Sequence, residues 1–176
     1  MDDFKIALKK SSVAFEKHFR KPLLDILHGG FEVVEGVTKD EMAKTLDMLA
    51  GIDVWHIDNR FGVRGVASRI QYGKSWETFT MRKSRESGAK TEYEKRKFAM
   101  KNDFLYPVLT FQGYIDHGDI PLSFALTKTK DIFWMIENNH FRLQKTGNEQ
   151  VGQAVFFVIP WKEMIKNNRQ IETRYF

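Results

Sequence analysis

Apolar residues recur along this chain at two different spacings, and the switches between them mark out its elements. Over residues 3–19, Phe4, Ala7, Leu8, Ser11, Phe15 and Phe19 fall along one side of a helix. A second apolar run, Pro22 to Leu27, predicts a further helix that stops at Gly29 and Gly30. Residues 31–37 read either as a short strand or as the edge of a loop. Thr38 and Glu41 have capping-box spacing, in which each side chain satisfies a free amide at a helix start. Met42, Leu46 and Leu49 then line one helical face, with Gly51 suited to ending it.

The spacing next shifts toward two. Three strand-like runs follow at 52–58, 65–72 and 76–82, broken by turn residues around Asn59 to Gly62 and around Gly73. Thr91 and Glu94 form a second capping box, which opens a basic helix over 92–101. Residues 106–115 and 122–128 read as two more strands, and 129–138 as a helix with Ile132, Phe133, Met135 and Ile136 apolar. A last strand over 151–159 precedes Pro160, placed at the first position of a closing helix. The order predicts a mixed central β-sheet flanked by helices, an α/β (α+β) fold. With no repeat, low-complexity stretch or linker, the expectation is one domain over 1–176.

Composition narrows the class. No apolar run approaches the ~20 residues that span a bilayer, so no membrane association is expected. The first residues alternate charged and apolar side chains, unlike a secretory leader. No cysteine is present, which rules out disulfides, thiol catalysis and cysteine-bound zinc, and is compatible with a cytoplasmic location. Net charge is +5, and residues 82–101 hold eight Lys or Arg against three Glu, an excess equal to that of the whole chain. Such a segment reads either as a solvated helix face or as a phosphate-contacting surface. On the second reading, Arg82, Lys83, Arg85, Lys95 and Arg96 contact nucleic acid through its backbone, without reading sequence.

Strand alternation collects a polar group on the first two runs. Asp53 shares a face with Trp55 and Ile57, and Arg69 and Gln71 share one with Ala67. Paired as a hairpin, these strands bring Asp53 toward Arg69 and Gln71. One account is a cross-strand ion pair with Gln71 at a solvated face. The other is a hydrolytic site in which a carboxylate binds Mg²⁺ through hard oxygen ligands and the ion activates water.

The stretches "TLDMLAGIDVWHI" and "VASRIQY" resemble the PD-(D/E)XK nuclease superfamily, whose core runs helix, three strands, helix, strand. The resemblance covers about residues 38–115. It implies a restriction-endonuclease-like core, with Asp53 in the place of the family's Asp and with Arg69 and Gln71 in the places of its Glu and Lys. Gln in the Lys position is a variation that family tolerates, whereas Arg69 removes a metal ligand. Asp47 is then the nearest substitute acid, ahead of Glu35 and Glu92. The implied activity is Mg²⁺-dependent hydrolysis of DNA phosphodiester bonds, with DNA preferred over RNA as partner. Asp53 and Asp47 would hold the metal, Gln71 would position water and Arg69 would stabilise phosphate charge. Enzymes of this kind often act as homo-oligomers so that two sites cut two strands. The run from Ala50 to Arg96 also resembles small proteins of phages and mobile elements. Two other readings stay open: a non-catalytic DNA- or RNA-binding module with a degenerate nuclease fold, and a protein-interaction domain.

The remaining signals are weak. The five histidines include no i, i+4 pair, and no Walker loop, dinucleotide fingerprint or zinc-protease motif occurs. His56 is expected in the core, and His117, between Asp116 and Asp119, in an ordinary turn. Glu92 suits the dipole at its helix start. Tyr72, Trp76 and Tyr93 flank the basic segment and are candidates for stacking on bases, with core packing the expected fate of Trp76.

Overall fold

The computed structural model describes residues 10–33, 51–60, 62–147 and 153–176. The expected helix over 42–49 with its Thr38–Glu41 capping box, and the candidates Asp47 and Glu35, lie outside these residues.

Two predicted helices merge at the start of the described chain. Residues 10–27 are helical throughout, with a π turn over Phe15–Phe19 leading into α1, Arg20–Leu27. Pro22 supplies a reason for the irregularity. It has no N–H to donate to His18, and its ring crowds that carbonyl, so the turn above it widens. Phe15, Phe19 and Leu23 still share one buried face. His28, in a left-handed conformation (φ 57), closes α1 by donating its amide to Leu24 O.

Among the described residues the strands form two sheets. The first holds β1 (Gly30–Val33), β2 (Val54–Asp58), β3 (Gly62–Tyr72), β5 (Leu109–Ile115), β6 (Pro121–Lys128) and β9 (Ile171–Tyr175), adjacent in that order. All its pairs are antiparallel except β3 with β5, which makes the sheet mixed. The second sheet is antiparallel, in the order β4 (Thr78–Arg85), β8 (Ala154–Pro160), β7 (Arg142–Thr146). Among the described residues three further helices follow α1: α2 (Glu92–Lys101), α3 (Thr129–Glu137) and α4 (Trp161–Lys166). Helices flank a mixed sheet, as the sequence predicts. Pro160 ends β8 and caps α4, one position earlier than expected.

Burial explains the layering. All seven residues of β5 are buried, as a strand covered on both faces requires. Leu109, Phe111 and Ile115 pack with Phe15, Phe19, Leu23, Val54, Val66 and Phe124 under α1. Tyr114, on the opposite face, joins Phe79, Met81, Ile132, Phe133, Phe157, Ile159 and Trp161. The main sheet thus separates two apolar cores.

One departure from the sequence reading sets the geometry of the candidate site. The third predicted run, 76–82, does not continue the first sheet. After β3, Gly73 (φ 116) and Glu77 (φ 49) turn the chain, and β4 pairs with β8. The edge of β3 left open is taken by β5, which a parallel pairing allows only after a crossover. Here β4 and α2 form that crossover, so α2 returns the chain beside β4 with its N-terminus near β3.

A candidate site of guanidinium and carboxylate groups

Three arginines and two acids meet between β3, β4 and α2. The β2–β3 register opposes Val54 to Val66, so Asp53 lies just before β2 and level with Ala67. Its Oδ2 accepts the Ser68 amide at 2.7 Å, holding the entry of β2 against β3. Arg69 turns away from it: Nη2 donates to Glu92 Oε1 at 2.9 Å. Gln71 is half-buried on the same strand face and bonds to neither. The expected grouping of Asp53, Arg69 and Gln71 therefore resolves into two contacts made with other residues.

Glu92 is the centre of the arrangement. The capping box predicted from Thr91 and Glu94 is present, Glu94 N donating to Thr91 Oγ1 and Thr91 N to Glu94 Oε2. With Glu94 serving the cap, Glu92 at the first helical position is free to face inward. Its Oε2 accepts the Arg82 amide at 2.8 Å, and Arg82 Nη1 lies 3.9 Å from Oε1. Burial by itself would raise the Glu92 pKa, but Arg69, Arg96 and Arg82 together hold it below the usual glutamate value. One carboxylate joins β3, β4 and α2.

Arg96 follows Glu92 by one helical turn, on the same inner stripe as Ala99. Only 6% of it is exposed. Its Nη2 donates to Gly51 O at 3.4 Å, and burial pushes its pKa down, opposed by Glu92 and Asp53. Arg69 and Arg82 also lie over the Phe156 ring, 5.1 and 5.3 Å from its centroid. Gln112, the β5 partner of Arg69, accepts a hydrogen bond from Thr80 Oγ1. The Nε atoms of Arg82 and Arg96 and the Nε2 of Gln112 are buried with no hydrogen-bond partner among the described residues.

Among the described residues this layer is rich in hydrogen-bond donors, and both of its carboxylates are engaged. A Mg²⁺ site needs several anionic or neutral oxygen ligands converging on one point. Of the acids here, Glu92 is matched by Arg69 and Arg82, and Asp53 is bound to the Ser68 amide within electrostatic reach of Arg96. Among the described residues no three His, Asp or Glu side chains gather in one place. Asp47, the second ligand expected beside Asp53, lies outside the described residues.

The basic segment divides in two. Arg82 and Arg96, expected on the phosphate-contacting surface, point into the cluster because Glu92 and the Gly51 carbonyl draw them there. Arg85 spans its own loop, donating to Lys90 O at 2.6 Å. Lys83 is exposed and Lys95 half-buried, while Lys90, Lys97 and Lys101 are exposed and complete the outer face. The sequence signal that could have separated these groups is the i, i+4 pair Glu92–Arg96 on the stripe that ends at Ala99. Phe156 carried no such signal.

Other expectations resolve simply. His56 is fully buried, between His28 O (2.7 Å from Nε2) and Arg64 Nη2 (2.9 Å from Nδ1). Arg64 is the donor at Nδ1, so Nε2 carries the proton given to His28 O. His117 lies in a turn that Asp116 Oδ1 organises by accepting the Gly118 and Ile120 amides. Tyr93 packs inward, stacked on Phe133 at 5.5 Å between centroids. Trp76 does not join the core: it is 52% exposed, with Lys74 Nζ 3.9 Å from its ring centre. No described helix is long and apolar enough to cross a membrane.

No protein-family model, curated protein or solved structure matches this chain.

Proposed function

We propose that this protein is a non-catalytic nucleic-acid-binding module that holds a phosphate backbone on the outer face of β4 and α2. The observation that carries this reading is how the basic segment uses its acids. Glu92 is spent on Arg69 and Arg82, Glu94 on the helix cap, and Glu86 on the Gln153 amide. Lys83, Lys90, Lys97 and Lys101 stay exposed. Cations arrayed this way are the electrostatic footprint of a polyanion binder.

The order of elements supports a degenerate nuclease fold as the scaffold. Among the described residues, helix α1, the antiparallel strands β1–β3, helix α2 and then β5 parallel to β3 follow the order of the PD-(D/E)XK core, with β4 set aside. On this reading the core begins before residue 38, and the position of its second acid holds Arg69, turned into an ion pair.

The test is binding of labelled single-stranded and duplex DNA and RNA over stepped salt, with cleavage followed in Mg²⁺ or Mn²⁺ for wild type and Asp53→Ala. The expected result is affinity that falls steeply with salt and no cutting. Metal-dependent cutting abolished by Asp53→Ala would replace this reading with that of an endonuclease. Absence of salt-dependent binding to any of the four would remove it and turn the search to a protein partner.

A further inference from the structure

We infer that Phe98 and Phe104 form a platform on which unpaired bases stack, so that the ligand of the basic face is single-stranded nucleic acid. The inference rests on the nucleic-acid reading above and adds which form of the polymer is bound. Phe98 is 55% exposed and Phe104 58%, while Phe15, Phe19, Phe111 and Phe124 are buried. Their ring centroids are 5.7 Å apart at an interplanar angle of 58°.

The backbone holds this pair in place. Asp103 at the end of α2 takes a left-handed conformation (φ 54), and Phe104 N donates back to Ala99 O at 2.8 Å. Asn102 caps Phe98 O with its amide and its side chain. This hydrogen-bond pattern closes a helix and brings the residue two past its cap onto the last turn. Phe104 is thereby set beside Phe98 by the backbone of its own helix end. A pre-set aromatic surface loses little conformational freedom when a ligand lands on it.

Charge around the rings selects the ligand. Lys90 Nζ lies 5.6 Å from the Phe98 ring centre, and Lys97 and Lys101 are exposed on the same helix. Of the nearby acids, Glu94 is tied into the helix cap and Asp103 lies in the closing turn. Aromatic faces flanked by lysines suit a strand that offers flat bases and phosphates alternately. A duplex keeps its base faces inside its own stack, so it can use the lysines but not the rings.

The experiment uses the full chain and fluorescence anisotropy with a labelled oligothymidylate and with a duplex of equal length. Phe98→Ala/Phe104→Ala removes the platform. Phe98→Leu/Phe104→Leu keeps apolar bulk at the helix end but has no π face. Both variants are expected to lose oligothymidylate affinity by about 100-fold, as two lost stacks imply, with duplex affinity and the salt slope unchanged. If the Leu pair binds like wild type, or single-strand and duplex affinities fall together, stacking is wrong. A wild-type dimer that either variant dissolves would make the patch a self-interface and overturn the inference. Binding unaffected in both variants removes this inference alone, whereas no binding by wild type removes the nucleic-acid reading itself.

Discussion

Arg69 Nη2 on β3 meets Glu92 Oε1 at the start of α2 at 2.9 Å, and the same carboxylate accepts the Arg82 amide of β4. Three elements that pair with different neighbours are thus joined through one side chain. Arg69 and Glu92 are each about 25% exposed, between the surface ion pairs that contribute little and the buried ones whose disruption is costly. Glu92→Gln is expected to destabilise the fold by about 2 kcal/mol, because it leaves two guanidinium groups without their counter-charge. Urea unfolding checks this, and a cycle with Arg69→Gln should show coupling of about 1 kcal/mol or more. Additive single effects would mean that the pair is geometrically close but energetically idle.

Acid should weaken this protein. Arg60, through its side chain and its amide, holds the Asp58 carboxyl well below the usual carboxylate range. Lys17 and His18 lower that of Asp119, and Arg69, Arg96 and Arg82 outweigh burial to lower that of Glu92. A carboxylate with a depressed folded pKa contributes stability that is fully present above its unfolded value, about pH 4. That contribution is lost as pH falls from there through the folded value. Tm should therefore be level on this account from neutral pH to about 5 and fall below about pH 4, more gently in Asp58→Asn. An acid limb unchanged by Asp58→Asn would show that Arg60 does not supply this linkage.

Gly113 on β5 sits under Phe19, the last residue of the π turn that leads into α1. A Cβ there would stand 2.9 Å from Phe19 Cε2 and Cζ and 3.0 Å from Phe111 Cζ. Both rings are fully buried, so neither can swing aside. Gly113→Ala is expected to cost about 1–3 kcal/mol through overpacking. Thermal or urea denaturation measures it, and a variant as stable as wild type would mean that the aromatic cluster has room to shift.

The exposed lysines should act on nucleic acid as point charges. Removing Lys83 and Lys97 together is expected to lower the dependence of log K on log salt by about 2, one per phosphate contact. Arg96→Gln, which changes a buried group, should leave that slope unaltered while reducing stability. Equal slopes in wild type and the lysine variant would place the phosphates elsewhere on the protein.

How much of this was legible beforehand depends on how far apart in sequence the deciding contacts are. The Thr91–Glu94 capping box and the helix it opens, Glu92–Lys101, follow from residues three apart. The strand over 109–115 is written in its composition, since Leu109, Phe111, Tyr114 and Ile115 can be buried only in a strand covered on both faces. The strands 142–146 and 171–175 escaped the sequence reading. Their residues are mostly exposed and polar, and pairing with β8 and β6 defines them rather than any apolar pattern of their own.

By itself, then, the sequence determined most of the local elements among the described residues, the mixed α/β class and the concentration of positive charge over 82–101. Only the tertiary structure decided that β4 leaves β3 for β8, that β5 takes the vacated edge, and that α2 consequently returns with Glu92 against Arg69. The same crossover decided which cations of one basic run turn inward, Arg82 and Arg96, and which remain outside, Lys83, Lys90, Lys97 and Lys101. Helical and strand periodicity act over a few residues and specify which side of an element a residue occupies. What lies opposite that side is set by pairings between distant segments, and those follow from burying two apolar cores on the two faces of one sheet.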